Sequence, residues 1–134
     1  MEPKPEWITG PEGKVRPIRR KGVGYAGMKR LLEAADEPTA VLCRNDFTAI
    51  GSIAAARDLR REVPGDVSII GFDNIPLSSY VSPALTTVEQ PAAEQGRLAG
   101  QMLMERLTRQ WDGARREQVL PCRLIVRKSC GVKS

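Results

Sequence analysis

Histidine is absent from all 134 residues. That removes the Ser-His and Cys-His nucleophile arrangements and the commonest metal ligand, so most enzyme readings fall away. No glycine-rich phosphate loop is present to restore them. Aromatic residues make up only 4% of the chain. The basic clusters at residues 14–21 and 57–61 therefore lack the aromatic interleaving of a nucleic-acid surface, and solvated charge is the favoured account of them. No apolar run approaches the ~20 residues that a helix needs to span a bilayer. The opening MEPKPEWITG is charged and proline-rich, unlike a secretory apolar region, so the expectation is a cytoplasmic chain with no membrane partner. Cys43, Cys122 and Cys130 have no metal-ligand spacing, and an odd count leaves one unpaired. Cys43, in an apolar strand, reads as a small core residue. Neither a cofactor nor a metal is expected.

What is present is ordinary for a folded domain: 41% hydrophobic, 28% charged, net charge +5. The length allows one compact domain or a piece of a larger one. Residues 1–21 hold four prolines and read as loop, with a possible short strand at 6–9. Residues 23–35 place Tyr25, Met28, Leu31, Leu32 and Ala35 at helical spacing. Pro38 ends that helix, because the residue before proline avoids the helical region. Residues 39–43 read as a buried strand. A helix follows from about 47 to 59, with Asp46 as its expected cap. Its small residues, Ala49, Gly51, Ser52, Ala54, Ala55 and Ala56, suggest close packing on two sides. Val63-Pro64-Gly65-Asp66 suits a type II turn.

Residues 67–90 form the stretch around which the rest is organised. Val67, Ile69 and Ile70 read as a buried strand that delivers Asp73 and Asn74 at its tip. A loop bounded by Pro76 and Pro83 leads to a second extended piece at 86–88. Asn45-Asp46 ends one strand and Asp73-Asn74 ends the next, 28 residues later. That period is a βαβ unit, which makes the strands parallel and the crossover right-handed. Both polar pairs then lie at the carboxyl edge, where open α/β sheets bind small ligands. After Pro91 a helix runs to about 109, with Leu98, Ala99, Met102, Leu103 and Leu107 as its apolar stripe. Residues 120–127 close the chain as a strand in which Cys122, Leu124 and Val126 alternate.

The pieces GYAGMKRLL (24–32), TAVLCRNDFTAIG (39–51), VPGDVSIIGFDN (63–74), SPALTTVEQP (82–91) and LPCRLIVRKS (120–129) occur in this order with compatible gaps. Together they resemble the effector-binding core of the lactose-repressor (LacI/GalR) family of transcriptional regulators. The resemblance covers roughly residues 22–131. It implies one lobe of a periplasmic-binding-protein-like fold, truncated, built as a parallel sheet flanked by helices. Residues 22–90 would be the C-terminal lobe, 91–118 a crossover helix and loop belonging to the other lobe, and 119–134 a returning strand and tail. The DNA-binding head and the N-terminal lobe would lie outside this chain, so operator DNA would be met only through that absent head. The stripe of the 91–109 helix would then lack its native sheet.

The resemblance also assigns roles. Asp73 would accept hydrogen bonds from an effector, expected to be a sugar or another small polar molecule. Asn45 and Gln90 would join it, although Asn45 also reads as a loop amide and Gln90 as hinge structure. Ile50, Leu77, Tyr80 and Val81 would form a homodimer interface, in keeping with a loop carrying more apolar bulk than a solvated loop needs. The expected function is effector binding and dimerisation in a non-enzymatic regulator. The alternative is a sugar- or solute-binding protein of transport or chemotaxis. One departure stands out: the family usually has glycine where this chain has Arg60, at a helix end that calls for a left-handed residue.

Overall fold

A computed structural model of the chain describes residues 22–131. The readings made for residues 1–21 fall outside the described residues. The elements are α1 (Val23–Leu32), β1 (Ala40–Leu42), α2 (Asp46–Asp58), β2 (Ser68–Phe72), a 3₁₀ turn (Pro76–Ser79), β3 (Thr86–Glu89), α3 (Ala92–Leu107) and β4 (Arg123–Ile125).

The strands form one sheet in the order β1-β2-β3-β4. Val41 lies opposite Ile69, and Gly71 opposite Thr87, both in parallel register. The α/β expectation is met, and β1-α2-β2 is the anticipated crossover unit. The last strand runs the other way. Leu124 pairs antiparallel with Val88, so β4 is an antiparallel edge on an otherwise parallel sheet.

Met28, Leu31 and Leu32 from α1 meet Ala49, Ile53 and Ala56 from α2 over Val67, Ile69 and Leu85. Fully burying the methionine, leucine, isoleucine and valine side chains among these contributes about 1.5–3 kcal/mol each. The small residues of α2 have the predicted purpose, because α1 crosses it almost backbone to backbone. A Cβ on Gly24 would come within 1.9 Å of the Thr48 carbonyl oxygen.

Five local expectations need correction. Residues 39–43 are not a buried strand: β1 is confined to Ala40–Leu42, Leu42 is 74% exposed, and burial begins only at Cys43 beyond it, because β1 is an edge strand. Helix α1 stops at Leu32, with Glu33 as its C-cap, and leaves Ala35 exposed. Proline constrains only its immediate predecessor, and the chain turns earlier to reach β1. The cap of α2 is Asn45, not Asp46. Asn45 has the extended backbone of a cap and its side chain accepts from the Thr48 N–H at 2.9 Å. The 63–66 turn is not type II, because Gly65 does not take the left-handed φ that type requires. Asp66 closes it instead, its N–H bonding to the Glu62 carbonyl and its carboxylate accepting from the Glu62 N–H, both at 2.8 Å. In β4 the phase is reversed: Leu124 and Val126 are 55% and 67% exposed, and Ile125 is the half-buried residue.

Arg60 takes the left-handed conformation its position demands, at φ 58°. Its N–H bonds to the Arg57 carbonyl and that of Arg61 to Ala56, which closes the end of α2. A side chain there works against the backbone, so Arg60→Gly should raise stability by about 1 kcal/mol. Urea unfolding checks this, and an unmoved midpoint would refute the strain.

Candidate functional site

The parallel register carries the polar pairs to one edge. Leu42 lies opposite Ile70, and three residues beyond each come Asn45 and Asp73. The Asp73 N–H bonds to the Val88 carbonyl at 2.9 Å, which brings β3 alongside, with Gln90 two residues further on. Asp73 and Gln90 then meet directly, the Gln90 amide donating to the Asp73 carboxylate at 2.6 Å. Asp73 remains exposed, so its carboxylate is open to accept a further hydrogen bond.

Asn45 reaches the same edge with a divided role. Its side-chain oxygen caps α2, accepting from the backbone N–H and the hydroxyl of Thr48 at 2.9 and 2.7 Å. The amide N–H groups are therefore the end it can offer a ligand.

The backbone at the edge is held in an uncommon shape. Asp73 and Asn74 are consecutive left-handed residues, at φ 109° and 51°. Such a pair persists where its surroundings over-determine it. The Asn74 amide donates to Glu89 at 2.7 Å, and its side-chain oxygen accepts from Arg127 at 2.7 Å. Glu89 is paired in turn with Arg123 at 2.6 Å. Hydrogen bonding from Asn74, then from Arg123, holds the Glu89 carboxyl below its ordinary pKa.

Beneath the edge lies Asp46, which is fully buried. One oxygen accepts from the Thr87 hydroxyl at 2.5 Å and the other from the Ile75 N–H at 2.9 Å. Its place in the first turn of α2 adds the favourable end of the helix dipole. Gly71 makes room for it, since a Cβ there would lie 2.2 Å from the carboxylate. On the far side, the buried Ser129 hydroxyl donates to the Ile69 carbonyl at 2.6 Å and accepts from the Thr86 N–H at 2.8 Å. Arg127, Ser129, Glu89 and this use of Asp46 were not picked out as individual residues by sequence reasoning. The signal lay in the TTVEQP and LIVRKS segments.

The four interface candidates divide evenly. Leu77 and Tyr80 are 45% and 83% exposed, while Ile50 and Val81 are half-buried against the chain's own core. Cys43 is buried, which pushes its thiol pKa up and fits the core role expected of it. Among the described residues no group of acidic and cysteine side chains could hold a metal ion, and no helix is long and apolar enough to cross a membrane.

A family model for the periplasmic binding protein-like domain matches residues 5–130. The chain belongs to that family. The relatives it matches include regulators of the LacI type. The chain is 41% identical over 126 residues to the HTH-type transcriptional repressor PurR of Proteus mirabilis (strain HI4320), covering 94% of this chain and 35% of the repressor. The transcriptional regulator CelR, solved as a cellobiose complex, matches with a TM-score of 0.75 at 32% identity, over 80% of this chain and 32% of that one. The lac repressor dimer bound to operator and the anti-inducer ONPF matches with a TM-score of 0.73 at 30% identity, over 81% and 37%. The chain thus spans about a third of the curated relatives it matches, 35% in the case of the Proteus repressor. These named relatives are regulators of transcription, not enzymes.

The buried carboxylate is open to a direct test. Asp46→Ala leaves the proton of the Thr87 hydroxyl and the Ile75 N–H without their acceptor, and hydrogen bonds to charged groups contribute about 1.5–3 kcal/mol each. Urea unfolding should register a loss of about 3 kcal/mol or more. A loss well under 1 kcal/mol would mean the site had filled with water at little cost.

Proposed function

We propose that this chain is the effector-binding and association part of a LacI-type transcriptional regulator acting in the cytoplasm. Its ligand is a small polar molecule of the sugar class, held at the carboxyl edge by Asp73, with Gln90 and the Asn45 amide beside it. The exposed Asp73 carboxylate, oriented by Gln90 in a left-handed backbone, is the observation that carries this reading. A polyol offers hydroxyl donors to that carboxylate and acceptors to the two amides. The CelR relative, solved with cellobiose, supports the sugar class.

In this reading residues 22–90 are one lobe, 91–118 belong to a second lobe across the ligand, and 119–134 return to the first. Helix α3 has no buried residue, as a helix made for another lobe would have. Operator contacts would come from a helix-turn-helix domain outside these residues. Ligand-driven closure would shift a homodimer between arrangements that do and do not set two such domains on operator half-sites. A solute-binding protein of transport is the second reading, and the family description favours it as far as the fold goes. The regulator titles of the relatives favour the first.

Calorimetry of the full regulator against a panel of sugars and nucleobases should find a ligand whose affinity falls about tenfold or more in Asp73→Ala, the loss of one charged hydrogen bond. A ligand that binds Asp73→Ala as tightly as the parent would remove Asp73 from the site. For the interface, Tyr80→Asp should lower the association state in sedimentation, since it places a charge on the exposed part of the loop beside Leu77. An unchanged association state would retire that loop as a dimer surface.

A further inference from the structure

The guanidinium of Arg127 spans the loop between β2 and β3. One arm donates to the Asn74 side-chain oxygen at 2.7 Å, next to Asp73. The other donates to the Leu85 carbonyl at 2.7 Å and the Ser78 hydroxyl at 3.0 Å. Its backbone N–H adds a bond to the Thr86 hydroxyl at 2.9 Å. All of these acceptors are neutral, so the fork sets geometry rather than cancelling a carboxylate.

The two ends so joined are unlike. At one, Asp73 and Asn74 hold their left-handed shape at the ligand edge. At the other, Ser78 is fully buried in the 3₁₀ turn that also carries exposed Leu77, and Tyr80 follows directly. The Leu85 N–H closes this end on the Ser78 carbonyl at 2.8 Å. A planar group bonded at both ends transmits the position of one to the other. We infer that Arg127 is a positioning residue that couples the ligand edge at Asp73 and Asn74 to the apolar loop at residues 77–81. The functional part of this rests on the effector role proposed for Asp73. The mechanical part does not.

Cross-effects in amide hydrogen exchange, measured by NMR on the ligand-free chain, separate coupling from plain stabilisation. Asn74→Gly keeps the left-handed backbone and removes one acceptor of the fork. It should speed exchange at the Tyr80, Val81 and Leu85 amides by about threefold or more, the scale of coupling within one hydrogen-bond network. In an Arg127→Met background the same substitution should leave those amides unchanged. Where Arg127→Met does not fold, Arg127→Lys carries the test, because a single ammonium lacks the fork that joins Asn74 to Leu85. A cross-effect that survives loss of the fork would overturn the inference and assign the coupling to the direct 3.4 Å contact between Ser78 and Asn74. No cross-effect in the parent would overturn it as well. None of these outcomes depends on a ligand, so failure of the effector reading is registered separately, by calorimetry.

Discussion

A carboxylate shut away from water must find its hydrogen bonds inside the protein, and Asp46 finds them on two other segments. Its oxygens reach Thr87 in β3 and the Ile75 N–H after β2, while its backbone starts α2. Three segments far apart in sequence are thereby fixed at one point under the carboxyl edge. Left unpaired, the charge would be intolerable, so the sheet edge, the loop and the helix start must arrive together. Glycine at 71 is part of the same requirement, because any side chain there would occupy the place of the carboxylate. The carboxyl edge above, where the ligand is proposed to sit, inherits this rigidity. Asp73 and Asn74 can be held in a left-handed pair because the floor beneath them is pinned.

The neighbouring dipeptide marks the limit of local reasoning. Asn45 and Asp46 are both good cap formers, and propensity alone cannot say which one faces the helix. The choice is made by a partner 41 residues away, Thr87, whose hydroxyl draws Asp46 inward and leaves the cap to Asn45. Much else was readable because its cause is local. Apolar runs marked β1 and β2, the extended piece after the proline-bounded loop marked β3, and the 28-residue period marked the crossover. Strand direction put Asn45-Asp46 and Asp73-Asn74 at one edge, and Gln90, expected only to lie near the crossover, bonds Asp73 there. Arg127 and Ser129 were opaque as individuals, since their partners lie 53 and 60 residues back. The phase of β4 was misread because alternation assumes a covered face. At an edge strand, apolar Leu124 and Val126 can stand exposed.

Helix α3 shows what the same physics does to a helix with no buried residue. Glu94, Arg97, Gln101 and Glu105 form a hydrogen-bonded ladder along one side. Gly96, Ala99, Leu103 and Leu107 fall on the opposite side, and Leu103 and Leu107 are 58% and 68% exposed. Sixteen residues of helix are marginal in water without a tertiary face to bury. Covering two leucines would contribute about 1.5–3 kcal/mol each, enough to decide whether α3 persists. Under the two-lobed proposal the second lobe supplies that cover. The loop at Gln90 and Pro91 then becomes the place where ligand contact and lobe contact meet. Gln90 bonds Asp73 on one side, and Pro91 accepts the first turn of α3 on the other, through the Gln95 N–H at 2.9 Å. A ligand that draws Gln90 away from Asp73 would thus act on the helix start directly. No separate relay is needed between the ligand edge and the second lobe.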